Sequence, residues 1–143
     1  MDLILWRHAD AEEGAPDLAR ELTPKGREQA ARVAAWMRRH LPEGFEVIAS
    51  PAVRAEQTAE ALKLAVKTDK KLAPGASVSA ILKAARWPDH KGAVVVVGHQ
   101  PDLGRALAYL VCGEEREWRL KKGGLCWIAE DRSIKALLSP DLL

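Results

Sequence analysis

Cysteine is scarce: the 143-residue chain carries two, Cys112 and Cys126, with neither a CxxC pair nor a metal-ligand spacing. That excludes a disulfide framework and a zinc site of the familiar patterns, and a reducing cytoplasm is the expected compartment. Aromatic residues are also few, at 5%. The tryptophans Trp6, Trp36, Trp87, Trp118 and Trp127 fall in different segments without a stacking spacing, so core packing accounts for them better than nucleobase recognition. No apolar run approaches the roughly 20 residues of a membrane span. The N-terminal segment lacks a basic n-region, and its apolar stretch, Leu3 to Trp6, is too short for a signal peptide. Neither sign of charge dominates: the formal net charge is +2, too small to argue for nucleic acid or an anionic membrane as partner. Internal repeats, low-complexity tracts and linkers are absent as well, so residues 1–143 are expected to form one domain, monomeric by default.

What remains is alternation. A first strand is expected over residues 3–6. Thr23-Pro24 reads as an N-cap followed by proline at the first helical position, and Ala30, Val33, Ala34, Met37 and Leu41 share one helical face before Pro42-Glu43-Gly44 ends the helix. A second strand follows at 46–49. Ser50-Pro51 again reads as cap and first helical residue, with Ala55, Ala59, Leu62 and Val66 marking the buried face. A shorter helix is expected over 79–86, ended by Trp87-Pro88. The run "AVVVVG" from Ala93 to Gly98 suits the middle of a sheet covered on both faces. Leu103, Ala106, Leu107, Leu110 and Val111 fit the next helical face, stopped by Gly113. The tail, "LCWIAE" and "SIKALL" around Asp131-Arg132, reads as an antiparallel hairpin. The expected architecture is α/β: a three-layer α/β/α sandwich with a mostly parallel sheet and a C-terminal hairpin.

Ligands of an open α/β sheet bind beyond the carboxyl ends of its strands. Three such ends here carry residues suited to an anion. The first strand delivers Arg7 and His8, the second delivers Ser50 and then Arg54 about one turn into the next helix, and the valine-rich strand delivers His99. A charged pair directly after a buried strand is costly to desolvate unless it is used or paired. Two arginines and two histidines on one sheet edge, beside helix N-termini, make a compact cationic pocket whose guanidinium forks match phosphoryl oxygens. Two other readings stay open at this point. One is a metal-dependent phosphoesterase with His8, Asp10, His99 and Asp102 as ligands, disfavoured because the arginines would repel a dication. The other is a catalytically silent phosphate-binding or interaction module.

The stretches "RHADAE" at 7–12, "SPAVRAEQTAE" at 50–60 and "VVVVGHQPDLGRAL" at 94–107 resemble the signature patches of the histidine phosphatase superfamily. Length and spacing resemble its small SixA-type branch, the phosphohistidine phosphatases. The resemblance implies that His8 is the nucleophile, transiently phosphorylated, that Arg7 and Arg54 hold the phosphoryl oxygens, and that His99 contacts the same group and stabilises the transition state. It implies no metal and no cofactor. The implied partner is a phosphohistidine-bearing protein or a small phosphorylated substrate.

The chain departs from the family pattern in two places. Ala9 stands where Arg-His-Gly is usual, a small change unless that position needs positive φ. The segment "KLAPGASVSA" at 71–80 holds no carboxylate, where ester-cleaving relatives carry a general acid. That absence favours a phosphoramidate, whose imidazole is already a good leaving group. Asp10 is the candidate substitute acid, although a short polar loop favours a solvated carboxylate there. The basic stretch "REWRLKKGG" at 116–124 is either a rim that meets an acidic partner or a solvated loop, the second being the commoner use of such a run.

Overall fold

The computed structural model describes residues 1–143. Six strands form one sheet in the order β3-β2-β4-β1-β5-β6: β1 is Asp2–Arg7, β2 Glu46–Ala49, β3 Val66–Thr68, β4 Ala93–Gly98, β5 Leu125–Ile128 and β6 Ile134–Leu138. Strands β3, β2, β4 and β1 run parallel, and β5 and β6 are antiparallel to their neighbours. Four helices cover it: α1 (Pro24–His40), α2 (Val53–Glu60), α3 (Val78–Ala84) and α4 (Asp102–Cys112).

Alternation along the strands sends side chains to two separate cores. Ile4, Trp6, Val47, Val95 and Val97 pack under α1 and α2 with Ala30, Val33, Met37 and Ala59. Leu3, Leu5, Ile48, Val94 and Val96 pack under α3 and α4 with Ile81, Leu103, Leu107 and Leu110. The expected three layers are present. All six residues of β4 are buried, and each fully buried valine contributes about 1.5–3 kcal/mol of transfer free energy, which fixes this strand at the centre.

Thr23 caps α1 as expected, its hydroxyl accepting from the Gly26 amide. The close of α4 also follows expectation, with Gly113 in the left-handed region at φ 80°. Several boundaries differ. Helix α2 starts at Val53 rather than Pro51, because the Ser50 side chain turns inward and the N-cap falls on Ala52, which has no side-chain oxygen to offer. Val66 lies on no helix; it opens β3, an edge strand with two exposed residues and no alternating signal. Helix α3 begins one residue early at Val78, capped by Ser77, and stops at Ala84. Val111, placed on the buried face of α4, is exposed at 36%, because it lies past the last residue to reach the sheet. The tryptophans pack where composition placed them: Trp6 is fully buried and Trp127 nearly so, with Trp36 set edge-on against Trp127 at 6.2 Å between ring centroids.

Candidate active site

Register brings the predicted residues together. Arg7 at the end of β1 lies opposite Gly98 at the end of β4, and Ala49 of β2 lies opposite Val97. The residues that follow therefore emerge side by side: the His8 amide donates to the Gly98 carbonyl (3.0 Å) and the Ser50 amide to the Val97 carbonyl (3.0 Å). His8 and His99 face each other with ring centroids 5.1 Å apart. Arg54 sits in the first turn of α2, nearer its start than expected, and is buried with the two histidines.

His8 is held in one tautomer. Its Nδ1 lies 2.8 Å from the Ala9 carbonyl oxygen, which can only accept, so the ring proton is on Nδ1 and the Nε2 lone pair is free. Ala9 is itself fixed, its amide donating to Thr58 Oγ1 at 3.0 Å, and Thr58 in turn donates to the Arg54 carbonyl. Ala9 is not among the positive-φ residues, so the missing glycine is of no conformational consequence. Burial pushes the His8 pKa down to about 4, and the Arg54 and Arg7 charges press the same way against the opposing hydrogen bond to Ala9. Burial and the neighbouring His8, Arg54 and Arg7 push His99 down to about 3. Both imidazoles are neutral near pH 7.

The cations keep free donors. Arg7 donates Nη1 to the Leu120 carbonyl (2.8 Å), and desolvation followed by repulsion from Arg119 lowers its pKa. Arg54 donates Nη1 to the Asp17 carbonyl (2.8 Å) and Nη2 to its carboxylate (3.1 Å). His99 Nε2 lies 2.8 Å from Ser50 Oγ, a pair in which either atom can donate. Arg7 Nε, Arg54 Nε and His99 Nδ1 are all buried without a hydrogen-bond partner. Buried polar groups are normally satisfied, so three orphans at the junction of three strand ends describe a site shaped for an oxygen-rich anion.

Three carboxylates belong to the segments around the site: Asp10 and Asp17 are held ionised, whereas burial raises the pKa of Asp102 against the backbone amides it accepts from. Asp10 accepts from the Thr23 hydroxyl (2.7 Å) and from Lys122 (3.0 Å), and these bonds hold its pKa below the ordinary range. Asp102 accepts from the Gly75 and Ala76 amides at 2.9 and 3.1 Å, pinning the carboxylate-free segment to α4. Asp17, in a short turn that sequence reasoning overlooked, bonds Arg20 and Arg54, which keep it ionised. With Asp10 tied to Thr23 and Lys122 and Asp102 tied to the 75–76 backbone, the quartet considered for a metal does not assemble, and no three His, Cys, Asp or Glu side chains are grouped as ligands.

Other proteins resemble this chain in sequence and fold. Residues 3–75 match the family model of the histidine phosphatase superfamily (branch 1). An uncharacterized protein of Picosynechococcus is 38% identical over 139 residues, covering 87% of this chain and 82% of that protein. The phosphohistidine phosphatase SixA of Escherichia coli is 30% identical over 123 residues, 80% of this chain and 76% of its own. The structure of a protein histidine phosphatase SixA complexed with tungstate superposes with a TM-score of 0.87 at 24% identity over 99% of both chains.

Proposed function

The chain belongs to the histidine phosphatase superfamily and is of the SixA type, and from that premise we propose that it is a phosphatase that hydrolyses protein phosphohistidine without a metal. The observation that carries the reading is the His8 tautomer: Nδ1 is committed to the Ala9 carbonyl, and Nε2 keeps a free lone pair on a ring that faces His99 and feels the charges of Arg54 and Arg7, whose Nε groups are unpartnered. In the first step Nε2 attacks phosphorus, an N–P bond forms, and the bond to the leaving group breaks with its electron pair. The departing imidazole takes a proton from solvent. In the second step water attacks the phosphorus on His8, the N–P bond breaks back onto Nε2, and inorganic phosphate leaves. Arg7 and Arg54 supply the positive charge on which the transition-state oxygens rest, and neutral His99 a further donor.

The leaving group selects the substrate class. Asp10 and Asp17 are ionised and already bonded, and Asp102, although burial raises its pKa, has its Oδ2 committed to the Gly75 and Ala76 amides, so we infer that no side chain stands ready to protonate an alkoxide. General acids typically contribute about a hundredfold to ten-thousandfold, and an alkyl phosphate should lag by that order. The test is turnover of a phosphohistidine-bearing protein, p-nitrophenyl phosphate and a simple alkyl phosphate, with and without chelator, for wild type and His8→Ala. Expected is chelator-resistant activity lost with His8, with the alkyl ester slowest. Loss to chelator, or an alkyl ester turned over as fast as phosphohistidine, would refute the mechanism or the substrate class respectively.

A further inference from the structure

The net charge of the chain is small, yet one part of its surface is strongly basic. A cleft of about 700 Å³ opens beside Arg7 and is lined by Lys25, Arg119, Lys121 and Lys122, against one carboxylate, Asp141. Lys25 comes from the first turn of α1, the others from the stretch between α4 and β5. We propose that this cleft receives carboxylate side chains that flank the phosphorylated residue of the substrate protein, so that an acidic surface docks while its phosphoryl group enters the pocket. This rests on the phosphohistidine reading given above.

Three observations carry it. First, the basic stretch is bolted to the nucleophile's own strand. The Gly123 amide donates to the His8 carbonyl (3.1 Å), the Arg7 amide to the Gly124 carbonyl (2.9 Å), and the Trp6 indole to the Gly123 carbonyl (2.8 Å). Gly123 takes φ 72°, and a Cβ there would press Gln29 and Pro140 at 3.2 Å, so the turn sits tight against α1 and the C-terminal residues. Second, Arg7 belongs to both the anion pocket and the cleft, so a ligand in one is contiguous with the other. Third, the donors are mostly exposed ammonium groups in an open cleft with no hydrophobic lining. Lysine meets an anion as a mobile point charge, which suits exposed carboxylates that arrive in varied positions on an acidic protein surface. Single-stranded nucleic acid would favour aromatic platforms, and none lines this cleft. Lys122 already holds one carboxylate, that of Asp10, at 3.0 Å, which shows the chemistry in place.

The test pairs Lys25→Glu/Lys121→Glu with a control of equal charge change at the opposite, amino edge of the sheet, Lys63→Glu/Lys91→Glu. Binding of a fluorescent oligoglutamate peptide is measured by anisotropy. Turnover is measured on an acidic phosphohistidine protein and on p-nitrophenyl phosphate. The cleft variant should bind the peptide at least about tenfold more weakly and lose a similar factor in kcat/KM on the acidic protein, with p-nitrophenyl phosphate unaffected and the control like wild type. The wild-type advantage should shrink as salt is raised. Equal effects of both variants, no effect of either, or tighter binding of a single-stranded RNA than of the peptide would overturn the proposal. If the peptide behaves as expected while no phosphohistidine protein is turned over, the docking surface stands and the substrate reading falls.

Discussion

Acidification provides a stringent test of the site, because both histidines lie in surroundings that reject a proton. An ordinary imidazole titrates near 6.5, so at about pH 5.5 only about a tenth of it would be neutral and nucleophilic. His8, pushed to about 4 first by burial and then by Arg54 and Arg7, would remain almost wholly neutral there. The two expectations differ by about tenfold in rate at that pH, since kcat/KM follows the protonation state of the free enzyme. The assay is kcat/KM for p-nitrophenyl phosphate across the acid range, corrected for ionisation of the substrate, beside an NMR titration of the His8 ring assigned by its loss in His8→Ala. Stability should move in a related way. The unfolded chain takes up the His8 proton near pH 6.5 and the folded chain only near 4, so the unfolded state binds more protons between these values. Stability should therefore be unaffected by His8 above about 6.5 and fall by roughly 3 kcal/mol as pH drops through that window, with His99 acting in the same direction to about 3. An acid limb of kcat/KM near 6.5, or a His8 ring that titrates there, would refute the electrostatic account.

Other substitutions probe the supports. Arg54→Ala should lower the rate on the order of a thousandfold, by comparison with charge-stabilising arginines in phosphoryl transfer, and a loss below about tenfold would remove Arg54 from the machinery. Thr58→Val keeps the shape but strands the buried Ala9 amide, so denaturant melts should show a loss of about 1–3 kcal/mol together with reduced turnover; an unchanged midpoint would deny Thr58 its role. Gly26→Ala would place a Cβ 2.0 Å from the Asp10 carbonyl oxygen, which must move with the loop that follows His8. A stability loss of about 1–3 kcal/mol or more is expected in urea, and a variant as stable as wild type would show that this contact yields freely.

The legible and the illegible parts of this molecule differ by range of interaction. Arg7, His8 and His99 are readable because each directly follows an apolar run that can only be a buried strand, and one sheet edge then gathers them. The valine run likewise announces its central position. Asp17 carries no such signal: its contact with Arg54 spans 37 positions, and the turn that holds it has no apolar pattern. Thr58 reaches Ala9 across 49 positions and reads locally as one more residue of an amphipathic helix. Ser50 shows how a local rule misleads. Serine before proline is a sound cap in isolation, but here its hydroxyl faces His99, the only amide it accepts from is that of Ala52, and the helix starts three residues after it. Strand β3 is invisible for the opposite reason, being short, largely exposed and paired with β2 alone, with only Val66 packed against the core.

The two arginines are supported unequally, and that asymmetry fits division of labour within one pocket. Arg54 is nearly buried, at 6% exposure, and shares its fork with the Asp17 carboxylate and carbonyl, so its orientation is set before any ligand arrives. Arg7 has one carbonyl partner and no carboxylate, sits beside the like charge of Arg119, and opens onto the basic cleft. A cation left that poorly compensated in the resting protein gains most when an anion binds, because the anion replaces repulsion with charge-assisted hydrogen bonds. Burial first, and then the charges of Arg54 and Arg7, hold His8 neutral, so the proposed nucleophile needs no general base to free its lone pair. Binding and activation in the proposed reaction therefore share a source: the buried setting that keeps the proton off Nε2 also carries the arginine charges, which press the same way and would draw in the phosphoryl group.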